Sequence, residues 1–207
     1  MFSTKGVVLK SEGGFKYLSY GVQKAVIVGY ELKTAKTGKQ MVVLLMEGPK
    51  VTDAGFEPDP ASKFGGRIGR VNFTIYFDKD NKEQMEQFIT NIALIAKKLG
   101  VSEQVDVIEA SDLESYLNKL MPVLRGKFAV WAITAQEYVY NKDGKDKVGY
   151  SLGLRRYGFI ASLDEVEADP NHIKPFNKDD KYDYQAVAIA SVDPDFKVQA
   201  PEDEMPW

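Results

Sequence analysis

Arg70-Val71-Asn72-Phe73-Thr74-Ile75-Tyr76-Phe77 alternates without a break. Val71, Phe73, Ile75 and Phe77 fall on one side of an extended chain, and Arg70, Asn72, Thr74 and Tyr76 on the other. That is the period of a strand with one face in a core. The next stretch of chain has a different period. Asp80 with Glu83 resembles a capping box, and Met85, Phe88, Ile89, Ile92 and Ile95 recur at helical spacing up to Gly100. Ser111 with Glu114 repeats the signature before Leu113, Tyr116, Leu117 and Leu120, predicting a second, shorter helix that Pro122 ends. The strand at 70–77 is therefore the last before a helical segment covering 80–121.

Upstream, the apolar runs Gly21–Tyr30 and Lys39–Met46 flank Thr34-Ala35-Lys36-Thr37-Gly38, which reads as a hairpin. Residues 47–69 are rich in Gly, Pro and charge, and long for a loop within a domain. Downstream, Lys127–Tyr140 and Val148–Phe159 read as strands joined by a turn at 141–147. Tyr184–Ser191 is a short element, strand or helix. The order of three strands, a helical segment and two strands predicts a mainly β protein with inserted helices. It is the order of the OB-fold, a five-stranded Greek-key barrel with its helix between strands 3 and 4. The expected organisation is an OB-fold nucleic-acid-binding body at 1–162, with a helical insertion at 80–121, and an acidic C-terminal extension at 163–207.

At 207 residues and 44% hydrophobic, the chain can bury a substantial core. It has no apolar run near the ~18 residues of a membrane span, and its first residues lack the apolar stretch of a signal peptide. The expectation is a soluble, intracellular protein. With no cysteine and a single histidine, disulfides, thiolate metal sites and a zinc finger are excluded. No cofactor or metal is expected. His172 sits in an Asp/Pro/Asn-rich stretch that suits a surface role, Asp78 and Asp80 lack a third carboxylate at ligand spacing, and neither Gly-Gly pair is followed by Gly-Lys-Ser/Thr. A non-enzyme is expected, with no catalytic residues.

Charge divides along the chain. Residues 1–162 carry 23 Lys+Arg against 18 Asp+Glu, and residues 163–207 carry 4 against 12. A mildly basic body with a strongly acidic arm suits polyanion binding, and it also fits a solvated linker. Nucleic acid needs cations against its phosphates and aromatic faces for unpaired bases. Both loops that would flank an OB groove are basic, the first with Lys33, Lys36 and Lys39, the last with Lys142, Lys145 and Lys147. Arg67, Arg70, Lys127, Arg155 and Arg156 complete the candidate phosphate set. Tyr76, Trp131 and Tyr157 are the candidate stacking residues, Trp131 and Tyr157 having core packing as an equal alternative. Outward Ser151 and Gly153 would let a strand approach the backbone.

The chain ends in Glu202-Asp203-Glu204-Met205-Pro206-Trp207, three acids, Met, Pro and an aromatic. With the strand order and basic loops, this tip resembles the tails of bacterial and bacteriophage single-stranded DNA-binding proteins, whose bacterial form is Asp-Asp-Asp-Ile-Pro-Phe. Trp207 in place of Phe is the departure. The Gly126-Lys127 start of the fourth strand, followed by Glu137-Tyr138 and a Lys/Gly turn, is loosely similar to small phage DNA-binding proteins. The resemblance implies coating and protection of exposed strands in phage DNA replication, recombination and repair. It implies recruitment of a polymerase, helicase, primase or recombinase through residues 202–207, and the cytoplasm of an infected bacterium as location. Homo-oligomerisation stays open. Two other readings remain: an OB-like adaptor that regulates a replication or recombination enzyme without touching DNA, and a single-stranded RNA-binding protein.

Overall fold

A computed structural model of the chain describes residues 18, 20–34, 39–48, 50–52, 55–57, 68–73 and 81–187. Strands β1 (Gly21–Thr34) and β2 (Gln40–Glu47) form the expected hairpin, Thr34 facing Gln40, with a bulge between Ile27 and Gly29. β3 (Lys50–Thr52) and β4 (Gly55–Glu57) make a small separate hairpin within the long connection. β5 (Ile68–Asn72) pairs antiparallel with β2. Next come helices α1 (Lys82–Lys98), α2 (Ser102–Asp106) and α3 (Leu113–Leu124). β6 (Phe128–Lys142) and β7 (Lys145–Leu154) form a long hairpin, followed by β8 (Ile160–Ala161), α4 (Leu163–Ala168) and β9 (Tyr184–Gln185).

The sheet closes on itself. Its order is β1-β2-β5-β7-β6, and β6 returns to β1 through six antiparallel pairs from Gly21↔Ile133 to Val26↔Phe128. One contact in this ring is parallel, β5 against β7 at Val71↔Leu152 and Asn72↔Gly153. The protein is thus mainly β, with a mixed sheet closed in a ring and helices inserted between its third and fourth members.

Alternation places the core. Ala25 and Ile27, then Val42, Leu44 and Met46, then Val71, then Ala129, Trp131 and Ile133 all point into the ring and are buried. Phe88, Ile92 and Ile95 of α1 and Leu117, Leu120 and Leu124 of α3, each set spaced by three or four residues, join the same cluster. Phe73 continues the inner face of β5 and meets Phe88 with ring centroids 5.7 Å apart.

Several local details differ from the sequence reading. α1 is capped by Asn81, whose side chain accepts from the Gln84 amide at 3.2 Å, one residue after the expected Asp80. α3 is capped by Asp112, accepting from Ser115 at 2.8 Å, while Ser111 donates to Asp112. α1 does end at Gly100, at φ +69°, where the amides of Gly100 and Val101 reach back to the carbonyls of Lys97 and Ala96. Pro122 does not end α3. It lies in the last turn, where the missing N–H costs only the one bond to Asn118, and the helix runs on to Leu124. The turn read at 141–147 shrinks to Asp143-Gly144, both at positive φ as a two-residue hairpin requires. Lys142, Lys145 and Lys147 therefore stand on strands rather than in a loop.

The boundary expected at 162 is not a structural boundary. α4 carries a capping box of Ser162 and Glu165, and Lys98 of α1 pairs with Glu165. Beyond it, residues 169–187 form a strap along the sheet. β9 runs parallel to β6 at Ala135↔Tyr184 and Gln136↔Gln185, taking the side of β6 that β1 occupies up to Ile133. Tyr184–Gln185 is thus a strand, and the rest of the element read to Ser191 lies outside the described residues from 188 on. No helix among the described residues is long and apolar enough to cross a membrane.

Candidate nucleic-acid interface

Beyond Ala135↔Leu152, the last β6–β7 pair whose β7 member also meets β5, the hairpin leaves the ring as an arm, paired through to Lys142↔Lys145. Its outward face follows from register. Gln136 faces Ser151, Tyr138 faces Gly149, Tyr140 faces Lys147 and Lys142 faces Lys145. Directly opposed residues share one face of a sheet, so Tyr138, Tyr140 and all three arm lysines lie together. The two tyrosine rings are 6.0 Å apart, and Lys142, Lys145 and Lys147 are exposed. Placing Lys142 opposite Lys145 sets like charges side by side, which costs stability unless an anion joins them. Asn141 restrains the turn, accepting from Gly144 at 3.2 Å and donating to Asp146 at 3.0 Å.

The same face continues across the ring. Gly153 follows Ser151 on β7, and Asn72 of β5 donates to the Ser151 hydroxyl at 2.9 Å. Arg70, two residues before Asn72, is exposed and paired with Glu31 of β1 at 3.0 Å, so any phosphate there shares it with a carboxylate. In the ladder, Lys33 opposite Met41 lies beyond Val43↔Asn72 in the direction of Leu154. Lys33, half-buried, and Lys39, exposed, therefore mark the end of the face away from the arm. Arg156 and Tyr157 mark that end too, on a protrusion between β7 and β8. Tyr157 is 73% exposed, with the Arg156 guanidinium 5.3 Å from its ring centroid.

Two proposed contacts are overturned. Trp131 is fully buried, and its Nε1–H donates to the Ala25 carbonyl at 3.1 Å across the seam that closes the ring. It packs in the core and presents no ring to a base. Arg155 is buried as well. Its Nε and Nη2 reach the two oxygens of Asp183 at 2.6 and 2.9 Å, and Nη1 donates to the Lys174 carbonyl at 2.7 Å. This guanidinium holds the strap and is not available to phosphate. Lys127 is exposed but precedes β6, most of that 15-residue strand away from the arm lysines. Lys36, Arg67, Tyr76 and Glu202 to Trp207 lie outside the described residues, as do Asp78 and Asp80.

The glycines of β7 are covered by side chains of β6, and for Gly153 this differs from the open approach expected at Ser151 and Gly153. A side chain at Gly149 would meet the Tyr138 ring, with Cζ at 2.7 Å, and one at Gly153 would stand 3.1 Å from Thr134 Oγ1. These positions admit side chains of β6 lying across β7 rather than an open path to the backbone.

The reverse face of the arm is held by the strap. Tyr20, Tyr150, Phe176 and Tyr184 cluster there, Tyr20 lying 5.3 to 5.5 Å from each of the other three rings. The Tyr184 hydroxyl donates to Glu137, and the Val187 amide reaches the other Glu137 oxygen at 3.1 Å. These bonds, the Tyr184 hydroxyl foremost, hold the Glu137 carboxyl below its usual range, and the same bond pushes the Tyr184 hydroxyl up.

Among the described residues no group of three or more His, Asp or Glu is placed to hold a metal ion. His172 is partly exposed, 3.6 Å from Glu165. The chain matches no protein-family model and no curated protein sequence.

Proposed function

We propose that the protein binds single-stranded DNA without sequence preference, and that the ring is an OB-fold. Support for the fold lies in the strand order, the parallel β5–β7 contact, the return of β6 to β1 and the helices between the third and fourth strands. The observation that carries the function is the arm. Tyr138 and Tyr140 share one face with Lys142, Lys145 and Lys147. Stacking rings beside cations is the combination that binds unpaired bases and their phosphates irrespective of sequence. In this reading the strand crosses the outward face between the arm and the end marked by Lys33, Lys39, Arg156 and Tyr157. Tyr138 and Tyr140 take the role that Trp131 cannot.

The acidic tip, Glu202 to Trp207, recruits replication or recombination proteins in this reading, and the protein coats exposed strands during phage DNA replication, recombination and repair. Titration of a fluorescent single strand at several salt concentrations tests the DNA part. Binding should weaken steeply with salt and exceed that of the matching duplex. Affinity that is flat in salt, or equal for duplex, would refute it. A matched RNA strand that outcompetes the DNA would reassign the substrate.

A further inference from the structure

The outward face of the arm contains one position where space, not charge, is controlled. Tyr138 lies directly opposite Gly149, and its phenol end rests over that glycine. A Cβ built at 149 would sit 2.7 Å from Cζ, 2.8 Å from Oη and 2.9 Å from Cε2. Gly149 is not in the left-handed region, so backbone freedom does not require a glycine here. What requires it is the ring. Tyr140, two residues on, has its centroid 6.0 Å from that of Tyr138 with the ring planes inclined at 46°, and it faces Lys147 rather than a glycine.

We propose that Gly149 is a positioning residue for base stacking. By leaving β7 bare at that point it lets Tyr138 lie across the arm beside Tyr140, and the two rings form a platform for two successive unpaired bases. This rests on the single-strand-binding reading and specifies which part of the interface meets bases and which meets phosphates. The rings take the bases, and Lys142, Lys145 and Lys147 take the backbone.

The test is a double-mutant cycle on the full chain with Gly149→Ala, Tyr138→Ala and the double variant, each titrated with an oligothymidylate and with an abasic strand of the same length. The groups that an added methyl meets are the far end of a side chain, so Gly149→Ala displaces the ring while the β-ladder remains, as circular dichroism should verify. Both single variants should lose roughly 5- to 150-fold in affinity for oligothymidylate, the range of one stacked base. The double variant should lose no more than Tyr138→Ala alone, because the glycine acts only through that ring. On the abasic strand all four proteins should bind alike. Independent, multiplying losses would overturn the inference, as would Gly149→Ala binding like the unmodified chain. If the unmodified chain does not bind the oligothymidylate, the single-strand reading falls and this inference with it. If it binds and only the glycine substitution is silent, the reading stands and the seat alone is refuted.

Discussion

Replacing Asp183 by Ala should undock the strap from the body. The Asp183 side chain is only 2% exposed and that of Arg155 is 9% exposed. The carboxylate accepts two bonds from the guanidinium and one from the Asn177 amide at 2.9 Å. Removing it strands a buried cation with only the Lys174 and Pro175 carbonyls, the latter at 3.4 Å. Breaking a buried pair from one side costs about 3–5 kcal/mol, because the surviving charge is left uncompensated. Arg155→Met should cost a similar amount by stranding the carboxylate, and the two together less than the sum. The loss has a local route. The strap can open while the ring stays closed, so the backbone bonds it makes should fail first. Hydrogen exchange distinguishes the two regions, since the Ala135 amide bonds to the Asp183 carbonyl at 3.0 Å and the Ala132 amide to Phe159 at 2.8 Å. In Asp183→Ala the first should exchange faster by two or more orders of magnitude while the second stays protected. An Ala135 amide as slow as in the unmodified chain, with an unchanged urea midpoint, would refute the reasoning.

Glu165 is held down to about 2 by the Lys98 ammonium and then by the Ser162 amide, against an ordinary value of 4.5. A depressed carboxyl stabilises the folded state above its unfolded value and loses that contribution as pH falls through the folded one. Melting temperature should therefore drop between pH ~5 and ~2, and Glu165→Gln should flatten that part of the profile. Trp131→Ala should cost about 3–5 kcal/mol in denaturant unfolding, the penalty of emptying a large core site. Gly100→Ala puts a Cβ on a residue at φ +69° with open space around it, so the cost is backbone strain alone, about 1 kcal/mol by chemical denaturation. Neutralising Lys142, Lys145 and Lys147 together should lower the salt slope of single-strand binding by about 2, at ~0.7 per phosphate.

Strand order was readable because alternation survives in Val71 and Phe73 and in Ala129, Trp131 and Ile133, even though β1, β2 and β6 also bury Val26, Val43 and Ala132 from the opposite face. Which aromatic faces outward was harder. Trp131 shares its side of β6 with Ile133, and only the pairing with β1 turns that side inward. Arg155 looked like a surface cation because its partner is 28 residues away, in a stretch that reads as acidic tail. Both capping positions were missed by one residue, at Asp80-Asn81 and Ser111-Asp112. Each pair offers two good capping side chains, and only the backbone decides which one leaves the helix. Tyr138 and Tyr140 had a signal in the sequence. Gln136, Tyr138, Tyr140 and Lys142 alternate on one side of the fourth strand, but assigning Lys142 to a loop hid the continuation. Gly149 had none, since its role is set by the ring opposite.

The indole of Trp131 spans the junction between β1 and β6, the pairing that turns an open sheet into a ring. The chain has one other tryptophan, Trp207. A Trp207→Phe variant would therefore be a single-tryptophan protein whose indole emission, excited beyond the absorption of the eleven tyrosines, reports on the closing seam, and burial without water should make that emission blue. Ligand that stacks on the arm tyrosines should leave it unchanged, while denaturant that parts β1 from β6 should shift it to the red. The molecule thus has separate optical reporters for occupancy of its outer face and for integrity of its frame.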